Sequence, residues 1–451
     1  MGTEPIIPLM FRLAIPAMIG MGTQALYNVV DTMYVGRVSE EALSALSLAF
    51  PVQMVLISIG VGTGVGTSSL IARRLGEKRR IDASLAAENA IFLSVMYWLV
   101  IMIIGWLFSD DIIKIFSDRE VLIRPGGDYI RIIMMGSIAM FFPMITNNII
   151  RGEGNTFTPM IALIIGAVTN IILDPFLIFG IGVFPEMGVR GAALATVFSR
   201  GVSGVFLIYA LRTKTDDLKI SPKHFKVDFS IIIEIYKVGL PAMFMQMLAS
   251  VTIAVINKIA GSYNIYAIAI MGIFFRLQSF ILMPVFGLGQ GYIPIMGYNY
   301  GRGDIQRMKE TLRTGLLIAT CLTFTGFVLF RFFPETLIRL FNSNPELIKI
   351  GVQALERIAL GFPVIGASVI GAVTFQALGK GFNSLVVSFL RQIGILLPVI
   401  YLLSRVWTFE NMWYAFPISE YIDVVVMYIW LSFTLKKIFK TIRSLPEKES
   451  V

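Results

Sequence analysis

Twelve long apolar runs, separated by short clusters of charge, restrict what this chain can fold into more than any other feature. They lie near 11–35, 43–71, 86–108, 128–150, 158–180, 188–211, 236–260, 266–297, 311–333, 352–376, 384–404 and 412–435. Each has roughly the 20 residues needed to cross a hydrocarbon layer as a helix, and none shows the two-residue alternation of a barrel strand. Of 451 residues 56% are hydrophobic and 15% charged, so no long polar stretch remains for a water-soluble domain. The expected fold is an all-α integral membrane protein with twelve transmembrane helices.

Basic residues set the expected orientation, because Lys and Arg of short loops stay on the cytoplasmic side. Arg73, Arg74, Lys78, Arg79 and Arg80 follow the second run, Arg212, Lys214 and Lys219 the sixth, Arg302, Arg307 and Lys309 the eighth, and Lys436, Lys437, Lys440 and Arg443 the twelfth. All are even-numbered exits, which puts both termini in the cytoplasm; Lys114, Arg119 and Arg124 after the third run dilute the bias. The net charge of +9 is then largely topological and does not point to nucleic acid. The first run lacks a basic leader and a small-residue cleavage site, so it reads as a retained span.

The sequence repeats itself. Ile15-Pro16-Ala17-Met18 returns as Leu240-Pro241-Ala242-Met243, and Gly62-x-Gly64-x-Gly66 as Gly287-x-Gly289-x-Gly291, both at an offset of 225 residues. The same offset carries Gly76 to Gly301 and Gly154 to Gly379. Six spans per repeat is an even number, so the repeats run parallel and are related by a pseudo-two-fold axis along the membrane normal. The expected division is an N-terminal lobe over 1–211, a cytoplasmic linker over 212–235, a C-terminal lobe over 236–436 and a tail over 437–451, with a cleft between two six-helix lobes.

Gly60 to Gly66 lie inside a span with no strand before them, so close helix packing explains them better than a phosphate loop. Neither a Walker lysine nor a paired-His motif is present, and the one histidine, His224, sits in the linker. These absences argue against an enzyme, a cofactor and a catalytic metal. Cys321 is the only cysteine and reads as a packing residue in an apolar span.

Asp31 interrupts the first span, and a charge at that depth costs about 2.5–3.5 kcal/mol even on insertion scales, so it marks a functional site and needs partners. Tyr27 and Asn28 precede it by four and three residues and share its helix face. Pro16 removes a backbone donor upstream and supplies a bend. In the fifth span Asn170 and Asp174 share a face, and Pro175 frees a carbonyl one turn earlier. Asp31 and Asp174 lie five and six residues before the outer ends of their spans, about 8–9 Å at helical rise, and Thr196 enters the sixth span to a similar level. Such oxygens suit a proton or a hard cation such as Na+. An interfacial or capping role for the two acids is the competing reading.

At the 225-residue offset Asp31 falls on Ile256, so the acids belong to the first half alone. In the second half Arg391 and Glu420 read either as a structural ion pair or as a site, with Asp423 nearby. Arg276, lacking an obvious local partner, is a weaker candidate for a substrate cavity, and Arg200 is ambiguous. Met18, Met21 and Met33 on the first span, with Met243, Met245 and Met247 on the seventh, read equally as an adaptable cavity lining or as membrane-helix filler.

The two parallel sixes, the run Gln24-Ala25-Leu26-Tyr27-Asn28-x-x-Asp31-x-x-Tyr34-Val35-Gly36 and the Asn170-x-x-x-Asp174-Pro175 element resemble the MATE (multidrug and toxic compound extrusion) family over essentially the whole chain. The first-half acids are most similar to the DinF branch of archaea and bacteria. The seventh and tenth spans offer Gln246 and no central acid, unlike the NorM branch. The resemblance implies a cell-membrane secondary antiporter that exports organic, often cationic and amphipathic, compounds in exchange for H+ or Na+ by alternating access. On that likeness Asp31, Asn170, Asp174 and Thr196 form the cation-coupling group, including any Na+ site, with Tyr27 beside them and Pro16 as hinge. The expected partners are small-molecule substrates and membrane lipid, with no nucleic acid and a monomeric chain. A lipid or lipid-linked saccharide flippase is the alternative, since one fold serves several substrates; a channel or a membrane enzyme ranks behind both.

Orientation is directly measurable. In a Cys321→Ser background, a cysteine replacing Lys226 should be labelled by an impermeant maleimide only after the cell is opened, and one replacing Val183 in intact cells; the reverse pattern overturns the topology.

Overall fold

The computed structural model describes the chain apart from residues 214, 216, 221–224, 262–264, 407–408 and 445–451. Linker residues Pro222, Lys223 and His224 and the end of the tail lie outside the described residues. Every regular element described is a helix. In the first half these are α1 (Ile6–Gly36), α2 (Glu40–Gly76), α3 (Arg80–Lys114), α4 (Glu120–Met135), α5 (Ile138–Gly152), α6 (Phe157–Phe179) and α7 (Val189–Thr213). The second half contains α8 (Phe229–Gly261), α9 (Ile265–Arg302), α10 (Ile305–Phe332), α11 (Pro334–Arg339), α12 (Pro345–Ala359), α13 (Phe362–Ala377), α14 (Gly381–Phe389), α15 (Leu397–Val406) and α16 (Ala415–Ser444).

Among the described residues nine helical stretches are long and apolar enough to cross a membrane, and two bent pairs raise the number to eleven. With the 30-residue α16, they account for the twelve runs. The bent pairs are α4 with α5, at 49°, and α12 with α13, at 52°. Their breaks are Gly136-Ser137 and Leu360-Gly361, the latter followed by Phe362-Pro363 at the start of α13, and Gly136 and Gly361 are again 225 residues apart. Gly/Ser pairs and prolines are the residues at which helices turn, and Pro363 restarts α13 where its missing N–H costs nothing. A seven-residue π-helical segment, Leu390–Leu396, joins α14 to α15.

The helix surfaces are patterned for lipid. Phe11, Ile15 and Ile19 repeat every four residues as an exposed stripe on α1, and Val100, Ile103, Trp106 and Leu107 are exposed on α3. The inward face of α2 consists instead of small residues: Gly60, Gly62, Thr63, Gly64, Gly66, Thr67 and Ser68 are all buried. With apolar lipid on the outside, close backbone packing is what holds such helices together. Cys321 on α10 is exposed, which corrects its reading as a packing residue.

Contacts divide the chain into two compact units, Ile15–Met243 and a second made of Met1–Ala14 with Phe244–Val451. In the first, the opening of α8 lies along α2. A Cβ on Gly62 would stand 2.5 Å from the Gly239 carbonyl oxygen, and one on Gly66 3.0 Å from the Gly239 nitrogen. Polar contacts secure the same segment: Arg74 donates to both Glu234 oxygens, at 2.9 and 2.7 Å, and the Tyr236 hydroxyl bonds that of Tyr97, which also meets Thr63 Oγ1 at 3.0 Å. In the second unit the opening of α1 lies along α9, where a Cβ on Gly291 would stand 2.9 Å from the Ala14 nitrogen. Arg307 donates to the carbonyls of Met1 and Glu4 at 3.0 and 2.7 Å, and Arg302 to that of Gly2 at 2.7 Å. The pairs Gly66···Gly239 and Gly291···Ala14 are equivalent at the 225-residue offset, so the repeat extends to close backbone contacts.

A methyl group distinguishes glycines that pack from those that do not. Gly66→Ala should lower stability by about 1–3 kcal/mol, because backbone cannot move aside as a side chain can. Gly22→Ala, on α1 with nothing within 4 Å of the added carbon, should be neutral or slightly stabilising. Thermal unfolding of the purified proteins compares the two.

Candidate functional site

All components of this site lie in the unit Ile15–Met243. Its geometry begins with the turn between α6 and α7. Gly180, Gly182 and Gly188 adopt φ of +68°, +75° and +52°, values that glycine takes without steric cost. The loop folds back so that Met187 N–H donates to the Leu177 carbonyl and Gly188 N–H to that of Ile178, both at 3.1 Å. Gly191 then abuts Leu177, and at the far end Ser203 Oγ donates to the Ala162 carbonyl at 2.8 Å. This antiparallel register brings Thr196 level with the turn between Asn170 and Asp174.

Helix α1 runs parallel to α6. A Cβ on Gly20 would stand 2.8 Å from Leu163 Cδ1, and the rings of Tyr34 and Phe179 meet edge to face at 6.2 Å between centroids. Asp31, three residues before Tyr34, therefore arrives level with Asp174, and the two carboxylates interact electrostatically. Asn170 Nδ2 donates to Asp174 Oδ1 at 3.1 Å, the hydrogen bond expected of an i, i+4 pair. Asn170 is 1% exposed and Asp174 0%.

Three oxygens in this group are buried with no hydrogen-bond partner: Asp31 Oδ1, Asn170 Oδ1 and Asp174 Oδ2. Buried acceptors without donors are costly, and a carboxylate or amide oxygen is satisfied only by a donor or a cation. Arg200 on α7 also belongs to the cluster. It lies within electrostatic reach of Asp31, yet its Nη2 donates to the Tyr27 hydroxyl at 3.1 Å. Tyr129 on α4 lies in the field of Asp31 and Arg200, and its hydroxyl accepts from Gln53 Nε2 on α2 at 3.1 Å.

The structure thus gathers Tyr27, Asp31, Asn170 and Asp174, with Thr196 buried on α7 at about the same level. Pro16 lies within α1, two residues past the boundary between the units. Met18 and Met21 are half-buried, Asn28 and Met33 are exposed, and Arg276 is exposed on α9 in the other unit. Sequence reasoning left Arg200 unassigned and passed over Tyr129 and Gln53. For Arg200 a signal existed, because it follows Thr196 by four residues on the same helix face.

A second polar group lies in the other unit. Arg391, in the π segment, pairs with Glu420 on α16 at 2.9 Å, and buried Asp423 accepts a hydrogen bond from the Ser368 hydroxyl on α13. The Arg391–Glu420 pairing is one of the two readings the sequence left open. Removing one partner strands the other, so Arg391→Met should cost about 3–5 kcal/mol, whereas Arg391→Met with Glu420→Leu should recover most of it. A thermal-shift double-mutant cycle measures both.

Apolar spans that enclose acid oxygens left without a partner are the makings of a membrane transport protein. Comparison with known proteins specifies which. Residues 16–176 and 241–402 match the MatE family, and the chain belongs to that family. It is similar to the multidrug export protein MepA of Staphylococcus haemolyticus, 28% identical over 92% of this chain and 91% of the relative. It is also similar to an FAD transporter of Shewanella oneidensis, 26% identical over 94% of each. Among solved structures it resembles the outward-facing conformation of a multidrug resistance MATE family transporter of the MOP superfamily, with a TM-score of 0.89 and 26% identity over 98% of this chain and 100% of that one. The all-helical, twelve-span fold and the family expected from the sequence are thereby established, and the protein is a multi-pass membrane transporter.

Proposed function

We propose that this chain is a secondary antiporter that exports organic, often cationic and amphipathic, compounds from the cytoplasm in exchange for H+ or Na+. The observation that carries the reading is the set of three unpartnered oxygens on Asp31, Asn170 and Asp174, buried on neighbouring helices of one unit. Two carboxylates held together away from water are satisfied by a proton or a hard cation. The name of the staphylococcal relative, a multidrug export protein, supports organic cargo. Confinement of the acids to the first half supports the DinF branch.

In the proposed cycle a cation entering from outside neutralises Asp31 and Asp174, with Asn170 and Thr196 supplying further oxygens and Tyr27 bordering the site. Loss of that charge removes the attraction for a cationic substrate, α1 bends near Pro16, and the substrate leaves. Departure of the cation to the cytoplasm restores the charge and readies the site for the next substrate. The chain sits in the cell membrane with both termini cytoplasmic and works as a monomer.

Uptake of a fluorescent organic cation into proteoliposomes, driven first by a pH gradient without sodium and then by a sodium gradient at fixed pH, tests the scheme. Wild type should respond to at least one gradient, and Asp31→Asn with Asp174→Asn should fall to the level of empty vesicles. Transport by the double variant equal to wild type would falsify cation coupling through this cluster. No transport with either gradient, together with scrambling of labelled lipid, would favour a flippase.

A further inference from the structure

The proposed cycle gives no role to Arg200, a fixed positive charge within electrostatic reach of Asp31, which in turn interacts with Asp174. Such a charge ordinarily closes onto the nearest acid, as Arg391 does on Glu420 at 2.9 Å. Arg200 does not: no ion pair within 4.0 Å joins it to Asp31 although the two interact electrostatically, and its guanidinium is held by the Tyr27 hydroxyl at 3.1 Å. Asp31 Oδ1 and Asp174 Oδ2 stay buried and unpartnered. The groups in this field are Tyr27 and Asp31 on α1, Tyr129 on α4, Asp174 on α6 and Arg200 on α7.

We propose that Arg200 is a tethered cation that limits this cluster to one further positive charge, making it selective for monovalent over divalent organic cations, with Tyr27 as the positioning residue that keeps Arg200 off Asp31. Two ionised acids and one arginine leave a single negative charge. One monovalent cation neutralises it, whereas a dication leaves an excess positive charge next to Arg200, where low polarity magnifies repulsion. This inference deepens the transport reading and rests on it for the identity of the site.

The test is equilibrium binding to the full-length protein in detergent, with tetraphenylphosphonium as the monovalent probe, a bis-quaternary bipyridinium as the divalent probe and an uncharged amphipathic dye as control. Coulomb repulsion scales with ligand charge, so Arg200→Gln should tighten the dication by about the square of the factor for the monocation, roughly a hundredfold against tenfold. Arg200→Lys, which keeps the charge, should stay close to wild type in the ratio of the two. Tyr27→Phe frees the guanidinium to pair with Asp31 and should weaken both cations. The dye should bind all forms alike, which a merely structural effect would not allow.

Equal change for both cations in Arg200→Gln, a parallel change for the dye, or no weakening in Tyr27→Phe overturns the inference. So does failure of wild type to bind tetraphenylphosphonium. Should Arg200→Gln fail to fold, Tyr27→Phe decides. Failure of the export reading is seen separately: wild-type vesicles that move no organic cation under either gradient refute export and leave the binding ratios to judge Arg200.

Discussion

The contacts that shape this structure most are close approaches of one helix backbone to another. Gly66 meets Gly239, and Gly291 meets Ala14, at distances that leave no room for a Cβ. In lipid the hydrophobic effect does little to bring two helices together, so the contact area opened by removing side chains is the main source of cohesion. That explains why small residues fill the inward face of α2 while large aliphatic and aromatic ones face outward. The opening of α1 packs with residues from Phe244 onward, and the opening of α8 with residues before it. Sequence order and spatial grouping therefore part at the first helix of each repeat.

The two units handle buried charge in opposite ways. In one, Arg391 and Glu420 are in contact and Asp423 is held by Ser368, so most of the local charge is neutralised within the protein. In the other, Asp31 and Asp174 retain bare oxygens while Arg200, the arginine that interacts with Asp31, is tied to a tyrosine. In the first arrangement an arginine contacts an acid directly, although Glu420 Oε2 is left without a hydrogen-bond partner; the second lacks a positive partner at the acid oxygens. A buried acceptor left open costs free energy in the isolated protein, and that cost is recovered only when something binds.

Much of this is legible in the sequence alone. Length and hydropathy specified the spans, the 225-residue offset specified the repeat, and helix periodicity placed Asn170 on the face of Asp174. Counting residues to the end of each span also put Asp31 and Asp174 at one depth, because helical rise is nearly constant. The exchange of helix openings was not legible, since it depends on which glycine faces which strand of backbone across more than 150 residues of sequence. Arg200 shows the limit most clearly: its spacing from Thr196 marks its face, but its bond to Tyr27 joins residues 173 positions apart. Bent spans and the π segment were likewise hidden, as both pack the same apolar composition into a different backbone path.

Because α1 is one unbroken helix from Ile6 to Gly36, it links two jobs by rotational phase. Within the unit Ile15–Met243, Gly20 is fitted against Leu163 of α6, and the far end of α1 presents Asp31 level with Asp174. Each residue advances the helix by about 100°, so inserting or deleting one between Gly20 and Tyr27 would swing the carboxylate about a quarter of a turn away from Asp174 while every side chain stayed the same. The spacing of that segment is thus under a geometric constraint independent of its composition: its residues can be exchanged, but their number cannot.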